Sequence, residues 1–217
     1  MHPADRKTWE QEQRKRRIVE MAEAVFFENG YDGTTLPAIA DAAGYNKRTL
    51  YLYFQDKQDI FLAVVLRGLE SLYTALKQAR DKAPTNSSGL RELAFAFFEF
   101  SSDHPQYLDL MMVYESRYFV YPERPAPADS GTHLQRCQQV AVDMALVVTA
   151  SIEAGMARGR VRRDLSPRQL MLILCGQIVG VIKIMRMREK NFEGAFAIGR
   201  KALFDRFVGM VELALEP

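Results

Sequence analysis

Apolar residues recur along nearly the whole chain at steps of three and four, the spacing that gives a helix one apolar face, and strictly alternating stretches are few. Ile18, Met21, Ala22, Val25 and Phe26 make one such stripe opposite Glu20, Glu23 and Glu28, and Asn29-Gly30 supplies its C-terminal stop. Leu36, Ile39, Ala40 and Ala43 make a second, shorter one. Thr35 is placed to cap it, and Pro37 falls in its first turn, where a missing N–H has no helical partner to lose. Gly44 ends that helix, Asn46 can cap another, and Leu50, Tyr53 and Phe54 provide the next i, i+3, i+4 set. The pattern predicts helix, tight turn, helix. Asp32-Gly33 follows a helical stretch and separates no β-branched runs, so no hairpin is expected there.

The helical period continues downstream. Residues 57–82 read as one long helix, roughly 40 Å at 1.5 Å per residue, long enough to link a small N-terminal domain to a larger body. The small and polar stretch from Pro84 to Gly89 breaks it. Helices are expected over residues 90–103, 105–118, 133–158, 166–189 and 192–215, with a loop from Tyr121 to Gly131 that holds three prolines. The fold class is therefore all-α, with about nine helices. The longest apolar run, Leu170 to Ile182, is too short to cross a bilayer, contains Gln177 and is flanked by Arg168 and Lys183, so it reads as a buried helix and no membrane partner is expected.

Composition narrows the class. With 48% hydrophobic and 26% charged residues in a chain of 217, a globular protein with a substantial core is expected, neither disordered nor fibrous. Cys137 and Cys175 sit in apolar helical patterns without C-x-x-C spacing, which speaks against a disulfide framework or a zinc ribbon. The charged N-terminus has no apolar signal core, so a cytoplasmic location is expected. No G-x-S-x-G, H-E-x-x-H, Walker A or dinucleotide fingerprint occurs, and His2, His104 and His133 are isolated from one another. Neither an enzyme, a cofactor nor a metal site is expected. Net charge is only +2, and residues 1–60 hold nine Lys or Arg against ten Asp or Glu. The basic residues are nonetheless clustered, as Arg14-Lys15-Arg16-Arg17 and as Lys47, Arg48 and Lys57.

A helix held down by Leu50 and Phe54 leaves its first turn projecting, and Lys47, Arg48 and Thr49 occupy that turn beside the capping Asn46. Such a turn can enter a DNA major groove, where Arg48 or Lys47 can donate to guanine and Thr49 can meet a thymine methyl or a phosphate. Thr34 and Thr35, at the start of the preceding helix, place hydroxyls and free N–H groups where a phosphate would be stabilised. Arg17 and its basic neighbours can touch the flanking backbone.

The segment Thr34 to Phe61, TTLPAIADAAGYNKRTLYLYFQDKQDIF, with the Ile18 to Phe26 stripe and Asn29-Gly30-Tyr31 before it, resembles the DNA-binding domain of the TetR family, the tetracycline-repressor-like regulators. The resemblance covers about residues 12–62. It implies a helix-turn-helix DNA-binding domain over residues 1–56 and a helical effector-binding and dimerisation domain over 57–217. It also implies a homodimer on a near-palindromic operator in double-stranded DNA, released by a small molecule. Tyr51 and Tyr53 match positions near the sugar-phosphate backbone, and Lys57 matches a phosphate-binding lysine. Arg48 stands where a glycine is frequent, Leu52 where an aromatic is frequent and Gln55 where a lysine is frequent, departures that bear on operator sequence.

In the C-terminal body, Leu170, Leu174, Gln177 and Val181 share a stripe in which Gly176-x-x-x-Gly180 would let another helix come close. Phe196, Leu203 and Phe207 form a second stripe, and both are candidates for the dimer seam. Phe97 and Phe98 lie on an unusually aromatic helix. With Met111, Tyr114, Tyr118, Met144 and Val148 they are candidates for an adaptable pocket, which favours a hydrophobic or aromatic effector. Glu99, Asp143 and Glu153 are candidates for orienting a cation. An architectural DNA-binding protein without an effector would share the motif and lack the pocket.

Overall fold

The computed structural model describes residues 3–85, 87–120 and 131–217. The three-proline loop lies outside them except for Gly131, as does Asn86 in the break after the long helix. Among the described residues every regular element is a helix: α1 (Pro3–Gly33), α2 (Leu36–Ala43), α3 (Lys47–Tyr51), α4 (Lys57–Lys82), α5 (Leu90–Asp103), α6 (Pro105–Arg117), α7 (His133–Ala157), α8 (Pro167–Met187), α9 (Phe192–Phe196) and α10 (Arg200–Leu215). The helix expected over residues 192–215 is two helices. Ala197 turns left-handed at φ 53 and Gly199 is extended at ψ 152, so the chain leaves the helix after Phe196 and re-enters at Arg200. The stripe drawn from Phe196 to Leu203 therefore crosses a break. α1 kinks where Asn29-Gly30 was expected to stop it, at Gly30 with φ 66, a conformation glycine tolerates. It also begins well before the Ile18 stripe, at Pro3.

The helices pack as two compact units, Met1–Ser71 with His104–Ala141, and Leu72–Asp103 with Val142–Pro217. In the first, α1 lies against α2 and α6. Ile18, Ala22 and Phe26 are buried with Ile39, Ala43, Leu50 and Phe54, the residues whose spacing predicted the motif. Phe61 of α4 meets Phe26 edge-on at 5.5 Å and Tyr31 at 4.6 Å. Gly68 of α4 admits the Tyr107 ring of α6, because a Cβ there would lie 2.9 Å from Tyr107 Cγ and closer still to Cδ1. The Tyr107 hydroxyl donates to the Glu23 carboxylate, which also receives Arg67 at 3.1 Å, so α1, α4 and α6 interlock at one point.

In the second unit α5 packs on α8. Its core joins Ile152 of α7, Leu170, Met171 and Leu174 of α8, and Leu215 of α10. Phe98 stacks on Phe204 at 4.4 Å, and Arg91 of α5 pairs with Asp205 and, at 2.7 Å, with Glu212 on α10. Ser166 and Gln169 cap α8 reciprocally, each side chain bonded to the other's backbone N–H. By length and composition alone α7 and α8 are each long and apolar enough to cross a bilayer, which the shorter run seen in the sequence did not suggest. α8 is apolar on two faces. One, with Leu170, Leu174 and Met185, is buried within its own unit; the other carries Leu172, Ile173, Ile184 and Met187, all exposed.

Candidate nucleic-acid interface

The geometry of α2 and α3 follows from three small polar or flexible residues. Thr35 is extended and its hydroxyl oxygen accepts from Ala38 N at 3.3 Å, so α2 starts there. Gly44 sits left-handed at φ 73, and the Tyr45 N–H returns to the Ala40 carbonyl at 2.9 Å, closing α2. Asn46 then caps α3, its side-chain oxygen accepting from Thr49 N at 2.9 Å and from the Thr49 hydroxyl at 3.0 Å. Leu50 and Phe54 are buried and fix the rotation of α3. That rotation turns Lys47 and Arg48 outward with Tyr51, which is 51% exposed.

The candidates differ in how free they are. Arg48 has no hydrogen-bond or ion-pair partner among the described residues, and Lys47 lies over the Tyr51 ring at 5.6 Å. Thr49 is half-buried with its hydroxyl donated to Asn46, so its methyl is the part left for a base. Tyr53 is half-buried and Thr35 exposed. Arg17 is exposed and anchored, its Nε donating to the Ala43 carbonyl at 3.2 Å across the turn. Lys57 is half-buried. Its ammonium donates to the carbonyls of Tyr31 at 2.9 Å and Thr34 at 3.0 Å and lies 4.4 Å from the Tyr31 ring centre, so one of its three N–H groups is left for a phosphate. Thr34 corrects the expectation. It is 1% exposed, and its hydroxyl donates to the Gly30 carbonyl at 2.7 Å, because the carbonyls freed by the α1 kink need a donor.

Two later helices brace the motif, and the spacing of residues did not show it. At the end of α6, Arg117 donates twice to Asp32, at 2.9 and 2.7 Å, and holds that carboxyl below the ordinary aspartate range; the Tyr118 hydroxyl donates to that of Tyr31 at 2.7 Å. At the start of α7, His133 Nδ1 lies 2.6 Å from Asp59 Oδ1, and its ring stacks on Phe54 at 5.9 Å. The other Asp59 oxygen accepts from Gln55 N at 3.1 Å, so the turn between α3 and α4 is held from α7. His133, read as an isolated histidine, belongs to this junction; the only trace in the sequence is its position at the first residue of a helix.

The pocket candidates fall in both units. Phe97, Phe98, Met144 and Val148 belong to the second unit, where Phe98 stacks on Phe204 and Val148 packs against the Ile152 cluster. Met111, Tyr114 and Tyr118 belong to the first. Tyr114 is fully buried, and its hydroxyl has no hydrogen-bond partner among the described residues, while desolvation, and after it the charge of a Cys137 thiolate, pushes its ionisation upward. The buried Cys137 thiol itself donates to the Leu62 carbonyl at 3.3 Å and is pushed up to about 12 by burial. A separate cleft of about 340 Å³ is lined by Tyr73, Arg80, Asp143, Leu146, Val147, Thr149, Ala150 and Glu153, none of them a pocket candidate. Asp143 and Glu153 both line it, whereas Glu99 pairs with Lys201 at 3.2 Å.

The dimer candidates are likewise redistributed. Leu170 and Leu174 are core residues of their own unit, which removes them from a free surface; Val181, Leu203 and Phe207 are half-buried, and Gln177 and Phe196 exposed. The free apolar face of α8 is the one with Ile173, Ile184 and Met187, and a Cβ at Gly176 or Gly180 would meet nothing within 4 Å. On α10, Met210 and Leu213 are exposed.

Residues 18–64 match the model of the bacterial regulatory proteins, tetR family. The HTH-type transcriptional activator FasR of Mycolicibacterium smegmatis is 29% identical over 147 residues, covering 68% of this chain and 65% of that protein. The HTH-type transcriptional repressor NicS of Pseudomonas putida is 26% identical over 155 residues, covering 68% and 66%. The chain thus spans just under two thirds of the length of each. The transcriptional regulator FadR of Bacillus subtilis, solved with stearoyl-CoA, superposes with a TM-score of 0.63 at 19% identity, covering 81% of this chain and 88% of that one, a likeness of fold. All three are named as transcriptional regulators.

Proposed function

We propose, because the chain belongs to the TetR family of bacterial regulatory proteins, that it is a DNA-binding transcriptional regulator that represses from a near-palindromic operator as a homodimer. The observation that carries this is the capped and anchored α3, which holds Lys47, Arg48 and Tyr51 outward from a rigid turn. In this reading residues 1–56 hold the DNA contacts and 57–217 the dimer and effector functions, in the cytoplasm, where the DNA is. Arg48 reads a base. Lys47, Tyr51, Tyr53, Thr35 and Arg17 position the backbone, with the remaining Lys57 N–H and the Asn46 cap beside them. The dimer forms through the free faces of α8 and α10, Ile173, Gly176, Gly180, Ile184 and Met187 with Met210 and Leu213.

The effector is a small apolar or aromatic molecule, and an acyl chain of the kind bound by the FadR neighbour is one such class. It acts by preferring the conformer whose recognition helices are misplaced for DNA. Tyr114 supports this, since a buried hydroxyl without a partner among the described residues is costly by about 1–3 kcal/mol unless a bound group accepts from it.

Selection of bound fragments from the source genome, followed by a reporter placed behind the selected site, tests the reading. Expression should rise when the protein is removed. Failure to enrich any fragment defeats the DNA-binding reading, and a fall in expression identifies an activator. Stearoyl-CoA and hydrophobic dyes should raise the melting temperature and lower affinity for the fragment, and Tyr114→Phe should weaken that response.

A further inference from the structure

The face of α1 that packs on the helix-turn-helix does not end where the motif ends. Toward the N-terminus from Ile18, at intervals of three and four residues, the same face continues as Arg14 and Lys15, then Gln11, then Lys7 and Thr8. It changes from apolar to cationic and carries no carboxylate. Asp5 and Glu12 fall off the stripe, and Glu10 at its edge is drawn to Arg6 at 3.2 Å. Lys7 and Arg14 are exposed and have no ion-pair partner among the described residues. Two interactions fix the orientation of this stretch against the motif. Lys15 lies over the Phe54 ring at 5.9 Å, and Arg17 is bonded to the Ala43 carbonyl at the turn before α3.

We propose that the first four turns of α1 are a second DNA-contacting element, in which Lys7, Arg14 and Lys15 neutralise phosphates flanking the segment that α3 reads. This rests on the DNA-binding reading above and extends its footprint. Lys7 and Arg14 are roughly 10 Å apart along the helix, the rise of about three base pairs. The stripe has the charge a phosphate backbone demands and continues the face that already holds the motif. An anionic membrane surface fits it less well, because an interfacial helix needs an apolar face, and Trp9, 57% exposed, points away from the stripe. The interaction is sequence-independent, so it adds affinity and salt sensitivity without adding base preference.

The test uses the full chain and a selected genomic fragment, comparing Lys7→Gln with Arg14→Gln as a double variant against the charge-keeping pair Lys7→Arg with Arg14→Lys. The neutral pair should lower the slope of log affinity against log salt by roughly 0.9 for each phosphate that is no longer neutralised. It should also erase hydroxyl-radical protection at the outer flanks and leave discrimination among operator variants unchanged. The charge-keeping pair should behave as the parent. An unaltered slope and footprint in a neutral double variant that melts like the parent overturns the proposal, as does sedimentation of the parent with phosphatidylglycerol vesicles that the neutral pair abolishes while its DNA binding stays intact. If the parent itself binds no fragment, the failure belongs to the DNA-binding reading instead.

Discussion

Arg48 is an exposed guanidinium with nothing in the described chain to hold it, on a helix whose rotation is fixed by two buried neighbours. A free donor fork on a rigid base suits bidentate bonding to guanine, worth about 1–3 kcal/mol of discrimination. Arg48→Ala should therefore cut discrimination between the selected operator and single-base variants by roughly one to two orders of magnitude at the base pair it touches. Electrophoretic titration of the variant set reads this, and unchanged ratios would assign base reading elsewhere. Thr34 and Lys57 show the opposite case. Their residue types suit phosphate, but the Gly30 carbonyl at the α1 kink takes the Thr34 hydroxyl, and the carbonyls of Tyr31 and Thr34 take two of the three Lys57 donors.

Among elements, α6 ties the first unit together at two places, meeting α1 at Glu23 through Tyr107 and, past the α1 kink, Tyr31 and Asp32 through Tyr118 and Arg117 at its C-terminal end. Gly68 sets how close it comes to α4. Gly68→Ala would normally gain about 1 kcal/mol of helix propensity. Here the added methyl collides with the Tyr107 ring and approaches Met111 Cε, so α6 must shift, and overpacking of this kind costs about 1–3 kcal/mol. Urea unfolding should show a net loss, and adding Tyr107→Ala to the variant should make the alanine at 68 tolerable. A gain in stability from Gly68→Ala alone would mean that α6 does not pack this closely.

For the whole molecule, the proposed operator reading needs two copies of α3 about one helical turn of DNA apart, roughly 34 Å, a distance that the proposed dimer would set. Ile184 and Met187 are 54% and 82% exposed within the chain, so charge there should cost the single chain little. Ile184→Glu with Met187→Glu should give a folded monomer in sedimentation, with operator affinity reduced at least a hundredfold. A dimer that survives both substitutions would place the seam on another surface. The low net charge of the whole chain makes this dependence stronger, because little non-specific attraction is available to hold a lone recognition helix on DNA.

The amino-acid sequence by itself determined the helices, because their apolar period and their caps, Thr35, Gly44, Asn46 and Ser166, act within a few residues of one another. It determined the recognition motif for the same reason. Tertiary packing decided what no local pattern holds: which face of the doubly apolar α8 lies in its own core, that residues 192–215 break at Ala197, and that Phe98 is packing. It also decided that His133, seventy-four residues from Asp59, clamps the turn behind α3. Partners brought together from distant positions are chosen by the shape and unmet hydrogen bonds of the surfaces they meet, and those exist only once the helices have docked.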